Sequence, residues 1–239
     1  MVFDKILDFF FPAKCIICGK LLNKHTDNFI CSACDAEYKF KIICCSKCSG
    51  VLTENGRPLC YTCKAAKRYF DGAVSASRYT ENLRKAIHRF KFRPEPYMAK
   101  TLAGFIEYAF EKSGAKANAF DIIVCAPPDK KRYYKRGFDH AALLGKYVSK
   151  KLGIPLLPKA ATKIKNNLPQ HTLNARNRAA NVRGVYKVAL PDDVKGKNVL
   201  LIDDVFTTGA TVNEISRILK RAGAKSVLVA TVAKAVPHI

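Results

Sequence analysis

Near the C-terminus two carboxylates are followed at once by small hydroxyl residues, in the order Asp203, Asp204, Val205, Phe206, Thr207, Thr208, Gly209, Ala210, Thr211. The hydroxyls of Thr207, Thr208 and Thr211 can donate to an oxyanion, and Gly209 permits backbone conformations closed to other residues. An anion held there, phosphate above all, would be repelled by the acidic pair. Asp203 and Asp204 should therefore face something neutral or positive, and ribose hydroxyls and a magnesium ion both fit. The loop is neither the Gly-x4-Gly-Lys-Ser/Thr of a Walker A motif nor the Gly-x-Gly-x-x-Gly of dinucleotide binders. Without an anion, the same threonines would only cap a core helix.

A different chemistry lies at the other end of the chain. Nine of the ten cysteines fall between Cys15 and Cys63, and eight of them form the pairs Cys15/Cys18, Cys31/Cys34, Cys45/Cys48 and Cys60/Cys63, each Cys-x-x-Cys. Twelve residues separate the first two pairs and eleven the last two, and the two halves echo each other at an offset of thirty residues. The pattern predicts two small zinc ribbons in tandem, each a closed four-thiolate site that is structural rather than catalytic. Metal binding would replace the hydrophobic core that some thirty residues cannot make. Disulfides compete with zinc only in an oxidising compartment, and no secretory signal is read here. Pairing first with second and third with fourth is the simpler arrangement, with a cross-braced alternative left open. Cys45 fits the repeat better than its neighbour Cys44, His25 reads as solvated, and Cys125 reads as a small buried thiol.

Such groups work only where secondary structure holds them. Val199 to Ile202 is an unbroken apolar run suited to a strand buried on both faces, and Ile215, Ile218, Leu219 and Ala222 follow at helical spacing. The loop between them leads into a helix N-terminus, whose first amides lack partners and favour an anion. Phe70–Tyr79 and Asp121–Pro128 predict further strands, as do Val185–Leu190 and Ser226–Val232. Thr80 is a candidate N-cap for a helix with Leu83, Ala86, Ile87 and Phe90 on one face. Arg84, Lys85, His88, Arg89 and Lys91 form a basic strip opposite, either tracking phosphates or solvated. Helices are also expected over Tyr97–Lys112 and around Leu143, Leu144, Tyr147 and Val148. The alternation predicts an α/β fold, a parallel sheet flanked by helices that binds ligands at the carboxyl ends of its strands. A charged loop from Asp129 to His140, with Lys131, Arg132 and Arg136, falls at that end too. Thr162–Val185 reads as a long polar loop, either a lid or a surface excursion. Two domains are expected, residues 1–68 and 69–239.

The chain of 239 residues carries 42 basic and 19 acidic side chains, a formal charge of +23, which eight thiolates and two zinc ions would lower to about +19. Its apolar fraction of 49% is ample for a core, and no apolar run is long enough to span a membrane. These properties predict a cytoplasmic protein with a polyanionic partner, nucleic acid first and an anionic small substrate second.

Val199 to Thr211 closely resembles the signature of type I phosphoribosyltransferases. That resemblance implies that Thr207, Thr208, Gly209, Ala210 and Thr211 hold the 5′-phosphate of phosphoribosyl pyrophosphate, and that Asp203 and Asp204 contact the ribose hydroxyls. The chain as a whole resembles the ComF family, which includes competence proteins and the GntX type. The features shared are Phe11-Pro12-Ala13-Lys14-Cys15, the cysteine pairs, Lys91-Phe92, Arg136-Gly137-Phe138 and the threonine-glycine loop. By that likeness Lys131, Arg132 and Arg136 hold pyrophosphate with its magnesium, and Gln170 and Arg176 belong to a flexible closing loop. The family's implied role is the handling of single-stranded DNA during natural transformation, with a ComFA-type helicase and DNA-processing proteins as partners; active phosphoribosyl transfer to a nitrogen acceptor is the alternative. The chain departs from the family's Arg-Gly-Phe-Asn-Gln at Asp139 and His140, and from its usual threonine at Asn167. His140 reads as a helix-start residue.

Overall fold

The computed structural model describes residues 13–22, 28–38, 45–50, 58–129, 133–134, 137–165 and 180–235. Its strands are β1 (Gly72–Arg78), β2 (Ile122–Cys125), β3 (Ala161–Lys163), β4 (Tyr186–Val188), β5 (Asn198–Phe206) and β6 (Ser226–Lys234). Four of them form one parallel sheet in the order β1-β6-β5-β2. The segment after Ile154 extends its edge, because Ile123 donates to the Pro155 carbonyl at 2.7 Å and accepts from Leu157 N at 2.8 Å.

β5 explains the layering. Successive side chains of a strand point to opposite faces, so Leu200 and Ile202 enter one apolar cluster while Val199 and Leu201 enter the other. Both faces are therefore covered. On the first lie α3 (Glu81–Phe92), α4 (Met98–Lys112) and α5 (His140–Leu152), through Leu83, Ile87, Phe90, Leu102, Ile106 and Leu144. On the second lies α7 (Ala210–Arg221), through Ile215 and Leu219. The shorter helices are α1 (Ser32–Tyr38), α2 (Tyr61–Ala65) and α6 (Pro191–Val194).

One expected strand lies elsewhere. β4, within the predicted Val185–Leu190, does not join the parallel sheet but pairs antiparallel with β3, and Tyr186 and Val185 pack into the α7 cluster. The hairpin closes the base of the long polar segment, bringing its two ends together. Thr80 stands at the N-cap of α3 without a side-chain capping bond.

Each cysteine-rich half packs on the α/β layers. Cys15, Ile16, Ile17 and Cys34 join the cluster of α3 and α4, and Arg89 Nη1 donates to Ile16 O at 3.4 Å while Thr101 Oγ1 donates to Asn28 O at 2.6 Å. The second half sits beside β1, where Lys47 Nζ donates to Asp71 O at 3.0 Å and Ser49 Oγ donates to Ala73 O. Among the described residues no helix is long and apolar enough to cross a membrane.

Candidate functional site

β5 continues past the apolar run through the acidic pair to Phe206, so Asp203 and Asp204 belong to the strand's carboxyl end rather than to the loop. The chain turns over Thr207, Thr208 and Gly209, and α7 begins at Ala210. Gly209 has φ +76°, and a Cβ there would lie 2.5 Å from Phe206 Cζ. Only glycine satisfies both the left-handed backbone and the close approach. The first intrahelical bond runs from Asn213 N to Gly209 O at 2.8 Å, so the amides ahead of it belong to the helix's open N-terminus. Thr208 Oγ1 accepts from Ala210 N at 3.4 Å, a long capping contact, and Thr211 is hydrogen-bonded to the buried phenol of Tyr186 on β4. Thr207 to Thr211 thus lie together on the one turn that joins β5 to α7.

The acidic pair divides. Asp204 is 3% exposed; its Oδ1 lies 2.8 Å from Lys91 Nζ on α3, and its Oδ2 lies 2.9 Å from His140 Nε2 on α5. Burial alone would raise this carboxyl, but Lys91 and His140 outweigh it and hold Asp204 well below the usual carboxylate range. Asp203 is half-buried and accepts from Asp204 N at 2.9 Å. Burial and then the charge on Asp204 push the Asp203 carboxyl up to about 7, with Lys91 and His140 opposing. Of two adjacent acids, Asp204 is held as an anion by the Lys91 ammonium at 2.8 Å, and Asp203 is pushed up towards neutrality.

Lys91 is the contact that the basic strip conceals. The strip breaks up in the fold: Arg84 and Lys85 pair with Glu81, Arg89 pairs with Glu95, and Lys91 turns inward. Its position could have signalled this, since Leu83, Ile87 and Lys91 are spaced four apart and lie on one helix face. His140 does begin α5, as expected, and its side chain also reaches the acidic pair. The preceding Asp139 is the N-cap, accepting from Ala141 N at 3.0 Å and Ala142 N at 3.1 Å. In the segment beyond β2, Asp129 pairs with Lys163 of β3 at 2.7 Å. Lys131, Arg132, Arg136, Gln170 and Arg176 lie outside the described residues, as do His25, Cys44 and Asn167. Cys125 is buried, its thiol pushed up by desolvation, with no room for a Cβ at Gly145 beside it.

The cysteines form two clusters, Cys15, Cys18, Cys31 and Cys34, then Cys45, Cys48, Cys60 and Cys63, with all ligand atoms of each within 4.8 Å of one another. Tetrahedral zinc with Zn–S bonds of about 2.3 Å requires S···S edges of about 3.8 Å. Cys18 and Cys31 stand 3.7 Å apart, as do Cys48 and Cys60. Cys45 Sγ also accepts from Cys60 N at 3.3 Å, a contact that favours thiolate. The Cys34 amide, first among its neighbours, holds the Cys31 thiol down to about 7. The donor sets therefore fit two zinc ions, each held by consecutive cysteine pairs.

Comparison with known proteins agrees with both halves. Residues 6–65 match the double zinc ribbon domain, and residues 148–237 match the phosphoribosyl transferase domain. The chain is 30% identical to competence protein F of Haemophilus influenzae over 229 residues, 95% of this chain and 99% of that protein. It is 31% identical to the DNA utilization protein YhgH of Salmonella typhimurium over 202 residues, covering 84% and 88% of the two chains. Identity to competence protein ComFC of Streptococcus pneumoniae is 27% over 232 residues, covering 90% and 96%. With a thiolate ribbon pair, a threonine-glycine loop at the end of a parallel strand and a likeness that runs nearly end to end, the chain belongs to the ComF family.

Proposed function

We propose that this protein handles single-stranded DNA during DNA uptake and binds a phosphoribosyl pyrophosphate-like ligand at the Thr207–Thr211 loop. The observation that carries the ligand reading is the loop itself: Gly209 at φ +76°, opening α7 directly beyond an acidic pair. In this reading the 5′-phosphate sits at the helix N-terminus, where amides and hydroxyls converge. Asp203, the half-buried member of the pair, accepts from ribose hydroxyls. Asp204 is already compensated by the Lys91 ammonium and faces His140 Nε2. The chain's own side chains make a poor magnesium site there, since an ammonium at 2.8 Å takes the cation's place and imidazole is a weak ligand for it. Magnesium belongs with the ligand's pyrophosphate, which the resemblance to phosphoribosyltransferases assigns to Lys131, Arg132 and Arg136.

The DNA reading rests on the net charge of +23 and on the names of the relatives. Tyr133 and Tyr134 add to it: they are 41% and 80% exposed, within the basic sequence from Lys130 to Arg136. Exposed aromatic rings among cations suit base stacking beside phosphate contacts. Single-stranded DNA affinity measured across salt concentrations tests this. A steep fall with salt, and a loss on Tyr134→Ala that leaves the salt slope unchanged, are expected; no binding at low salt removes the DNA reading. Calorimetric titration with phosphoribosyl pyrophosphate and magnesium tests the pocket, and binding that is indifferent to Asp203→Asn removes it.

A second reading, phosphoribosyl transfer to a nitrogen acceptor, is favoured by the acidic pair at the carboxyl end of β5. Positive charge that gathers on the ribose in the transition state would be stabilised by the fixed anion at Asp204 and by Asp203 when ionised. Pyrophosphate release with a library of nitrogen bases tests it. A chain that binds the ligand and turns over with none of them acts as a binding protein.

A further inference from the structure

Two cations hold the phosphate loop from behind. Lys234, the last residue of β6, donates from Nζ to the Thr207 carbonyl at 3.0 Å, and Arg68 donates from Nη1 to the Thr208 carbonyl at 3.3 Å. A turn whose consecutive carbonyls are tied inward leaves its following amides to face the other way, which is the arrangement an anion needs. The Lys234 ammonium also lies 3.7 Å from the centre of the Phe206 ring, the ring on which Gly209 packs. In the first turn of α7, Asn213 is gripped from the same side. Its Oδ1 accepts from Tyr69 N at 2.8 Å, and its Nδ2 donates to Lys67 O at 3.3 Å.

All these partners lead to the second cysteine cluster. Residues 67–69 follow α2, which carries Cys63. Lys234 comes near the cluster: a methyl group added at Gly50 would lie 3.2 Å from Cys48 Sγ and 3.6 Å from Lys234 Cε, so both side chains border the same glycine. Four thiolates around one zinc ion carry a net charge of about −2. Lys234 is thus shared between an anionic metal centre and the loop's first carbonyl. The first cluster has a different footing, on α3 and α4.

We propose that the second zinc ribbon is part of the phosphate site: metal held by Cys45, Cys48, Cys60 and Cys63 fixes Lys234, and Lys234 with Arg68 sets the Thr207–Thr211 loop. Lys234 is a positioning residue. Losing the second zinc releases the loop, whereas losing the first does not. The proposal rests on reading that loop as a phosphate cradle.

Hydrogen exchange of the full zinc-loaded chain tests it, read by mass spectrometry on peptides covering residues 207–213, with calorimetric binding of phosphoribosyl pyrophosphate as a second readout. Cys63→Ser and Lys234→Met should each speed exchange of those peptides by about tenfold. Lys234→Arg, which keeps the donor and the charge, should return them close to the wild-type rate. Cys34→Ser should loosen α3 and α4 and leave residues 207–213 unchanged. Wild-type exchange of the loop in both Cys63→Ser and Lys234→Met overturns the proposal, as does equal loosening by Cys34→Ser. Failure of the wild-type chain to bind phosphoribosyl pyrophosphate would strike the cradle reading instead, and the exchange result would stand apart from it.

Discussion

Replacing Lys91 by methionine strips an ammonium from a carboxylate that is only 3% exposed. At the observed 2.8 Å and an effective dielectric constant of about 20, the direct attraction is about 6 kcal/mol. Part of that is offset, because the variant no longer desolvates a lysine. Removing one partner of a buried pair costs about 3–5 kcal/mol in practice. His140 still faces the other oxygen of Asp204, and the Lys91 side chain retains 28% exposure, so the lower end applies, about 3 kcal/mol. For a chain of this size that corresponds to a fall in Tm of about 6–12 °C. Thermal unfolding of the zinc-loaded protein at pH 7 measures it. The double variant Lys91→Met/Asp204→Asn removes both charges together and should lose at least about 1 kcal/mol less than the sum of the single variants. A Lys91→Met protein melting within about 1 °C of wild type, or strictly additive effects, would refute the buried lock between α3 and β5.

Three other outcomes follow from the same geometry. Gly209→Ala meets a left-handed backbone penalty of about 1–2 kcal/mol and an overlap with the Phe206 ring, so affinity for phosphoribosyl pyrophosphate by calorimetry should fall more than about tenfold; unaltered affinity would take this loop out of the site. The Asp203 carboxyl is raised to about 7 in the fold, so the folded state holds its proton more tightly than the unfolded chain does. Its contribution to stability is therefore present in acid and is lost as pH climbs from about 4 towards 7; wild type should lose Tm relative to Asp203→Asn over that interval, and a constant difference would disprove the shift. Metal analysis should find two zinc ions per chain, and Cys18→Ser/Cys31→Ser should keep one. Complete loss of zinc in that double variant would mean cross-braced sites.

The cysteine spacing and the strand, threonine loop and helix were legible because each is encoded within a short stretch: two thiolates two residues apart, or an apolar run ending at acids and a glycine. The amphipathic stripes of α3, α4 and α5 were legible for the same reason, and Leu83, Ile87 and Phe90 are buried where periodicity put them. β3 was missed, being three residues in a polar stretch. It forms only because β4 returns beside it.

By itself, then, the sequence determined two four-thiolate sites, a parallel α/β sheet and a glycine turn at the mouth of a helix, since metal spacing, burial periodicity and backbone permissiveness are local properties. The tertiary structure alone decided what each acid does. Adjacent Asp203 and Asp204 are equivalent as a motif, yet it is Asp204 that lies 2.8 Å from Lys91 Nζ and 2.9 Å from His140 Nε2, because α3 and α5 cover the same face of the sheet. Lys234 likewise acquires its place under the Thr207 carbonyl only where β6 ends between the loop and the second ribbon. Charges pair through space, and their partners were set by how the layers pack.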